Sequence, residues 1–252
     1  MYNLFISSAL SVLVFVATAA FLGPWAGIVP GVLVWGIATF LLTRRTGQQV
    51  EAEMAIVVPL LQAGKVDEAR AQLEVIRGKW ANWQLLLDSS IDAQLGMLEY
   101  AQRKWDAALP LLEKGRTRNW MAQTCIACIH FRQSRRDACW GEMENAASTA
   151  GKEAMVYVVW AVLATRAGDR TRALEALNKG LEQLPDNDHL KNLKTTIANK
   201  KKIQTRAFGD GWYQFFPEDL VTRQLMRGRK DGGSPVQMPA QRPGAKALFR
   251  GR

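Results

Sequence analysis

Residues 166–185 read RAGDRTRALEALNKGLEQLP. Around Ala173, Gly168 stands five residues earlier, Leu177 four later and Pro185 twelve later, and a second alanine, Ala161, stands twelve earlier. Positions three and four apart share a helix face, so Ala173 and Leu177 look the same way. Glycine turns a chain at a helix end, and proline stops a helix. The stretch therefore predicts two antiparallel helices joined at Gly168. Small side chains at Ala161 and Ala173 let their backbones approach.

The spacing recurs. YAQRKWDAALPLLEKG puts Trp105, Ala108 and Leu112 on a second helix, with Gly96 twelve residues before Ala108. FRQSRRDACWGEMENA places Cys139 and Met143 in the same way, with Ala127 as the small partner. LQAGKVDEARAQLEVI supplies Gly64, Ala69 and Leu73, with Val57 at the earlier position. The anchors Ala69, Ala108, Cys139 and Ala173 are 39, 31 and 34 residues apart. This pattern resembles the tetratricopeptide repeat, a helix–turn–helix unit of 34 residues. The resemblance covers residues 50–199 and is carried best by the fourth copy.

The resemblance implies an all-α fold, a right-handed superhelical solenoid of about four helix pairs plus a capping helix over residues 46–199. Pro59 and Pro110 fall inside expected helices and should bend or shorten them. After Pro185, DNDHLKNLKTTIANKKK offers Asp186 and Asp188 as N-caps and a polar helix that closes the solenoid.

Before the repeats the character of the chain is different. Residues 1–43 hold no Asp, Glu, Lys, Arg or His. Two apolar runs, residues 2–22 and 25–42, are separated by a Gly/Pro-rich break, and Arg44 and Arg45 follow. A helix of about 20 residues spans the roughly 30 Å of bilayer hydrocarbon. Residues 1–45 therefore predict a transmembrane helical hairpin. ATAA at residues 17–20 would suit signal-peptide cleavage, but no Lys or Arg precedes the run. The positive-inside rule puts Arg44, Arg45 and everything after them in the cytoplasm, giving an inner- or cell-membrane protein with two spans.

The net charge of +10 is unevenly spread. Residues 46–199 hold 19 basic and 19 acidic side chains, whereas residues 200–252 hold 12 basic and 4 acidic. The region 200–252 reads as a basic, partly disordered tail with an aromatic cluster. Lys200, Lys201, Lys202, Trp212, Tyr213, Phe215 and Phe216 are its candidate membrane-contact residues. The aromatic cluster has three readings: packing on the last repeat, lying at lipid headgroups, or folding onto a partner.

Nothing in the sequence points to catalysis: there is no phosphate loop, nucleophile elbow or HExxH. Cys125 and Cys128 form a CxxC, but within one helix, so buried reduced thiols are expected and no metal or cofactor is assigned. His130 and His189 read as surface or packing residues.

In the tetratricopeptide family the first helix of each pair lines a concave groove. Carried onto this chain, the groove residues are Met54, Leu61, Met97, Tyr100, Met121, Phe131, Arg132, Met155, Val162 and Arg166. Such a surface suits a protein or peptide with apolar anchors and an acidic group. The competing reading is that this stripe is core. The expected function is a membrane-anchored protein-interaction scaffold without enzymatic chemistry, with a protein or peptide partner and membrane lipids at the tail. A structural subunit of a membrane complex is the alternative, with Gly23, Gly27, Gly31 and Gly36 as helix-contact positions. A membrane-tethered nucleic-acid binder ranks last, because nothing in the tail reads bases.

Overall fold

A computed structural model describes residues 2–83 and 86–219. Among these residues every regular element is helical. In order they are α1 (Tyr2–Leu22), α2 (Pro24–Gln62), α3 (Val66–Trp80), α4 (Leu87–Ala101), α5 (Trp105–Gly115) and α6 (Trp120–Arg132). There follow α7 (Arg136–Ala150), α8 (Ala154–Arg166), α9 (Arg170–Gln183), α10 (Asp188–Ala198), a 3₁₀ turn (Thr205–Phe208) and α11 (Trp212–Phe215). The chain forms two compact units, Met1–Leu60 with Lys65–Ile91, and Leu61–Gly64 with Asp92–Arg252.

The sequence places a boundary at 45/46, but α2 runs unbroken across it for 39 residues. The first unit therefore carries both apolar runs on α1 and α2, each long and apolar enough to cross a membrane. A row of polar contacts joins them. Asn3 Nδ2 donates to Thr46 Oγ1 at 2.9 Å, Thr39 Oγ1 to Ser7 Oγ at 2.8 Å, Trp35 Nε1 to Ser8 Oγ at 3.2 Å and Ser11 Oγ to the Gly31 carbonyl at 2.8 Å. Gly23 makes the turn at φ 88°, while a Cβ at Gly27 would lie 3.0 Å from the Phe15 carbonyl. The close approach uses Gly27 and Gly31; Gly36 faces open space. Polar and small groups thus meet along the seam, and Phe21 and Trp25 are 89% and 84% exposed on the outside. At the open end, Tyr2 packs edge-on to Trp83 at 5.4 Å, and Lys79 pairs with Glu53.

The helix pairs repeat one turn. The residues five before the four anchors are Gly64, Arg103, Ser134 and Gly168, and all adopt left-handed backbone, with φ of 77°, 63°, 61° and 84°. Each turn closes with the same two main-chain bonds, as in Gly168 N–H to Thr165 and Asp169 N–H to Ala164. This is the αL termination of a helix, and it satisfies carbonyls that the helix end would otherwise orphan. The anchors Ala69, Ala108, Cys139 and Ala173 are all fully buried. The backbones do approach: a Cβ at Gly96 would lie 2.8 Å from Leu112, and one at Gly115 would lie 2.2 Å from the Ala93 nitrogen.

In the second unit α6 packs on α7 and α8 on α9, with α5–α6, α6–α8 and α7–α8 contacts joining successive pairs. This is a helical-repeat-like packing. The first helices are innermost, and Val156 through Ala164 on α8 are buried on all sides. α2 runs through Pro59 and ends three residues later; α5, which contains Pro110, has 11 residues against 15 and 14 in α7 and α9. α10 caps the array with Leu190, Leu193 and Ile197 turned inward. Its N-cap is Asn187, whose side chain accepts from the Leu190 N–H, and neither Asp186 nor Asp188 takes that role.

The same left-handed turn recurs at Lys200, with φ 55°. Here no second helix follows. The chain leaves α10 without helix over 201–204 and turns through Thr205–Phe208 into α11.

Candidate functional site

α11 packs against α6 and α8, the first helices of two adjacent pairs. Trp212, Phe215 and Phe216 are 0%, 1% and 1% exposed, among the deepest side chains in the protein. Met97, Tyr100, Met121 and Val162, expected to line a groove, are themselves buried and share one apolar core cluster with them, as the competing core reading has it, and Met155 packs against it. A Cβ on Gly211 would sit 3.1 Å from the Met155 methyl, so the segment fits closely.

The polar contacts converge on Arg132. Its Nη1 donates to the Tyr100 hydroxyl at 2.9 Å and to the Cys128 carbonyl at 3.1 Å. Its Nη2 donates to Glu218 Oε1 at 2.6 Å and to the Phe215 carbonyl at 3.3 Å. Tyr100 in turn donates to the same Phe215 carbonyl at 2.6 Å. The guanidinium also lies 4.5 Å from the Trp105 ring centre and 5.7 Å from that of Phe216. Hydrogen bonds to charged groups contribute about 1.5–3 kcal/mol each, and a desolvated cation–π contact about 2 kcal/mol. Burial opposes the charge on Arg132, but Tyr100, Cys128 and Glu218 outweigh it and its pKa is pushed up.

Arg166 repeats the role one copy later. Arg132 and Arg166 both stand seven residues before their anchors. Arg166 Nη2 lies 3.6 Å from Asp219 Oδ2, and its guanidinium is 4.5 Å from the Phe216 ring centre. Arg103, at the preceding turn, donates to the Pro217 carbonyl at 3.4 Å. The segment also braces itself: Trp212 stacks on Phe216 at 4.1 Å and donates its indole N–H to Asp219 at 2.8 Å.

Of the residues singled out in the sequence, Met97, Tyr100, Met121, Arg132, Met155, Val162 and Arg166 come together around residues 203–219. Phe131 does not; its ring contacts are Trp140 and Arg136 on α7. Met54 and Leu61 belong to α2, in the first copy. Trp212, Phe215 and Phe216 are buried in the apolar cluster rather than on an outer surface, Tyr213 is half-buried, and Lys200, Lys201 and Lys202 are exposed. The rest of the tail, residues 220–252, lies outside the described residues.

Comparison with known protein families, curated proteins and solved structures finds no match to this chain.

Glu218, Asp219 and Arg103 are site residues that the repeat pattern did not single out, and Trp105 entered it only as a residue of the second helix. A signal existed: FFPED sets two carboxylates directly after the aromatic cluster, in a tail otherwise rich in Lys and Arg. That is the composition the groove residues ask for. The three cysteines are buried and unpaired. Burial pushes the Cys128 thiol up to about 11 and the Cys139 thiol up to about 12, so both are neutral thiols near pH 7. Among the described residues no group of three or more His, Cys, Asp or Glu side chains could hold a metal ion.

Proposed function

We propose that this chain is a membrane-anchored scaffold whose tetratricopeptide-like repeats bind a segment of a partner protein in the groove formed by α4, α6 and α8. The observation that carries this reading is the face that α4, α6 and α8 turn toward α11. It already holds an eight-residue stretch, residues 212–219, by aromatic anchors, main-chain carbonyls and two carboxylates. A surface that recognises backbone as well as side chains is a peptide-binding surface.

In this reading α1 and α2 are the anchor, and Arg44, Arg45 and the repeats are cytoplasmic. The polar groups and small residues of the hairpin are turned toward each other, which supports a self-sufficient anchor over one that packs against foreign helices. Lys200, Lys201, Lys202 and the basic residues that follow add attraction to anionic lipid, about 1 kcal/mol for each side chain near the surface. No step of the account requires chemistry.

Photo-crosslinking in native membranes tests it. A crosslinking residue at Thr165, beside the groove, should give an adduct with a defined protein, and one at Glu175, exposed on α9, should not. Equal adducts from both positions, or none from Thr165, would sink the scaffold reading. Reporters fused after Gln48 and at Arg252 should both report cytoplasm.

A further inference from the structure

Resting on the scaffold reading, we propose that the partner segment has a specific chemistry, aromatic residues followed by proline and two carboxylates, and that residues 203–219 are the resident ligand it must displace.

The segment is held as a bound peptide is held. It is not a helix of the repeat: α11 has four residues, and the stretch from 201 to 204 is not helical. Its backbone is read at the Phe215 carbonyl by Tyr100 and Arg132, and at the Pro217 carbonyl by Arg103. Its sequence is read in two ways. Phe215 and Phe216 fill the apolar floor, and the consecutive carboxylates Glu218 and Asp219 meet Arg132 and Arg166. Those arginines occupy the same position in successive copies, so the spacing of the acids is matched to the repeat. The Trp212–Asp219 and Trp212–Phe216 contacts pre-shape the segment and lower its ordering cost.

The close approaches that set the helix pairs, Gly96 to Leu112, Gly115 to Ala93 and Gly180 to Tyr157, are made without the segment. Tethered a few residues from α10, the segment has an effective concentration on the order of millimolar, so an outside peptide competes at a disadvantage. Capture is therefore gated: the groove takes a partner only when that partner presents the same chemistry at high local concentration, as on a shared membrane, or when the segment is drawn away.

The test uses the full chain in detergent and a fluorescein-labelled peptide with the sequence of residues 208–219. The native chain should bind it weakly. A Phe215→Ala, Phe216→Ala chain should bind it at least tenfold more tightly, and adding Arg132→Ala should reverse that gain. A peptide lacking the two phenylalanines or the two acids should not bind. A folded double variant that binds no peptide, or binds it regardless of Arg132, overturns the proposal. If the double variant is unstable, saturating peptide should raise its unfolding midpoint toward the native one; no rise means the segment is simply core and the proposal is wrong. A native dimer that the peptide dissociates would show the ligand to be a second copy of this chain, overturning a separate partner. Crosslinking at Thr165 without peptide binding would retain the scaffold and remove this ligand class; peptide binding without crosslinking would do the reverse.

Discussion

The hydroxyl of Tyr100 donates a 2.6 Å hydrogen bond to the main-chain carbonyl of Phe215, 115 residues further along the chain. Arg132 donates to that hydroxyl and, more weakly, to the same carbonyl. Burial, and after it Cys128, raises the Tyr100 pKa well above the usual phenol range, which keeps this proton in place. A long-range contact of this kind fixes the segment to the first helix of one pair, where local helix geometry could not.

Replacing Tyr100 with Phe should loosen the segment. The carbonyl keeps only its 3.3 Å bond to Arg132, and Arg132 loses an acceptor. The expected loss is about 1–3 kcal/mol, the cost of under-satisfying buried polar groups. Trypsin should then cut faster at Arg206, which is exposed at the start of the segment. Unchanged cleavage and unchanged denaturation would show that this bond contributes nothing to seating.

The left-handed turns give a prediction of opposite signs. Ser134 holds φ 61° with a side chain that favours other conformations, whereas Gly168 holds φ 84° with no Cβ. Ser134→Gly should stabilise by about 0.5–1 kcal/mol, and Gly168→Ala should destabilise by about 1 kcal/mol. Chemical denaturation of the two variants checks both. Equal effects of the same sign would mean that the repeated turn is not under the constraint described.

How much of this was legible in the sequence follows from the kind of signal involved. Turn position, anchor and small partner are local, so Gly168, Ala173 and Ala161 announce a helix pair by spacing alone. Arg103 and Ser134 hide the same turn, because tertiary packing forces a left-handed backbone on residues that do not advertise it. Equally hidden was the small position seven after the anchor, Gly115, Ala146 and Gly180, buried in each case. The continuity of α2 was missed because Arg44, Arg45 and Gly47 look like a boundary by charge and composition, yet none of them breaks a helix backbone. The occupant of the groove was harder still. Its contacts cross between distant parts of the chain, and no local periodicity pairs Arg132 with Glu218.

The buried thiols predict an alkaline limit. Cys128 and Cys139 have folded-state values of about 11 and about 12, above the ordinary thiol value of 9.0. Their stabilising effect is therefore full below pH 9.0 and is lost as pH rises toward those values. Each thiol contributes a slope of about 1.4 kcal/mol per pH unit inside its window. Denaturation midpoints should fall from pH 9 upward in the native chain, and less steeply after Cys139→Ala, once that variant's own destabilisation at pH 7 is subtracted. A flat profile would contradict the burial of these groups.

The hairpin seam can be tested by two glycines. Gly27 abuts Phe15 and Thr18, while Gly36 has nothing within 4 Å. Gly27→Ile should lower the thermal midpoint in detergent by several degrees, the scale expected for a ~1–3 kcal/mol overpacking cost. Gly36→Ile should leave it unchanged. If both variants behaved alike, α1 would not pack on α2 through Gly27.

In the proposed peptide receptor, the inner face of the repeats holds residues 212–219 of its own chain. Amide hydrogen exchange on the full chain, with and without saturating free peptide of residues 208–219, tests it most directly. Strong protection of the amides of residues 212–216, 218 and 219 is expected in the native chain, lost on adding peptide while α6 and α8 stay protected. Exchange of 212–219 at the rate of unfolded chain, before any peptide is added, would contradict it.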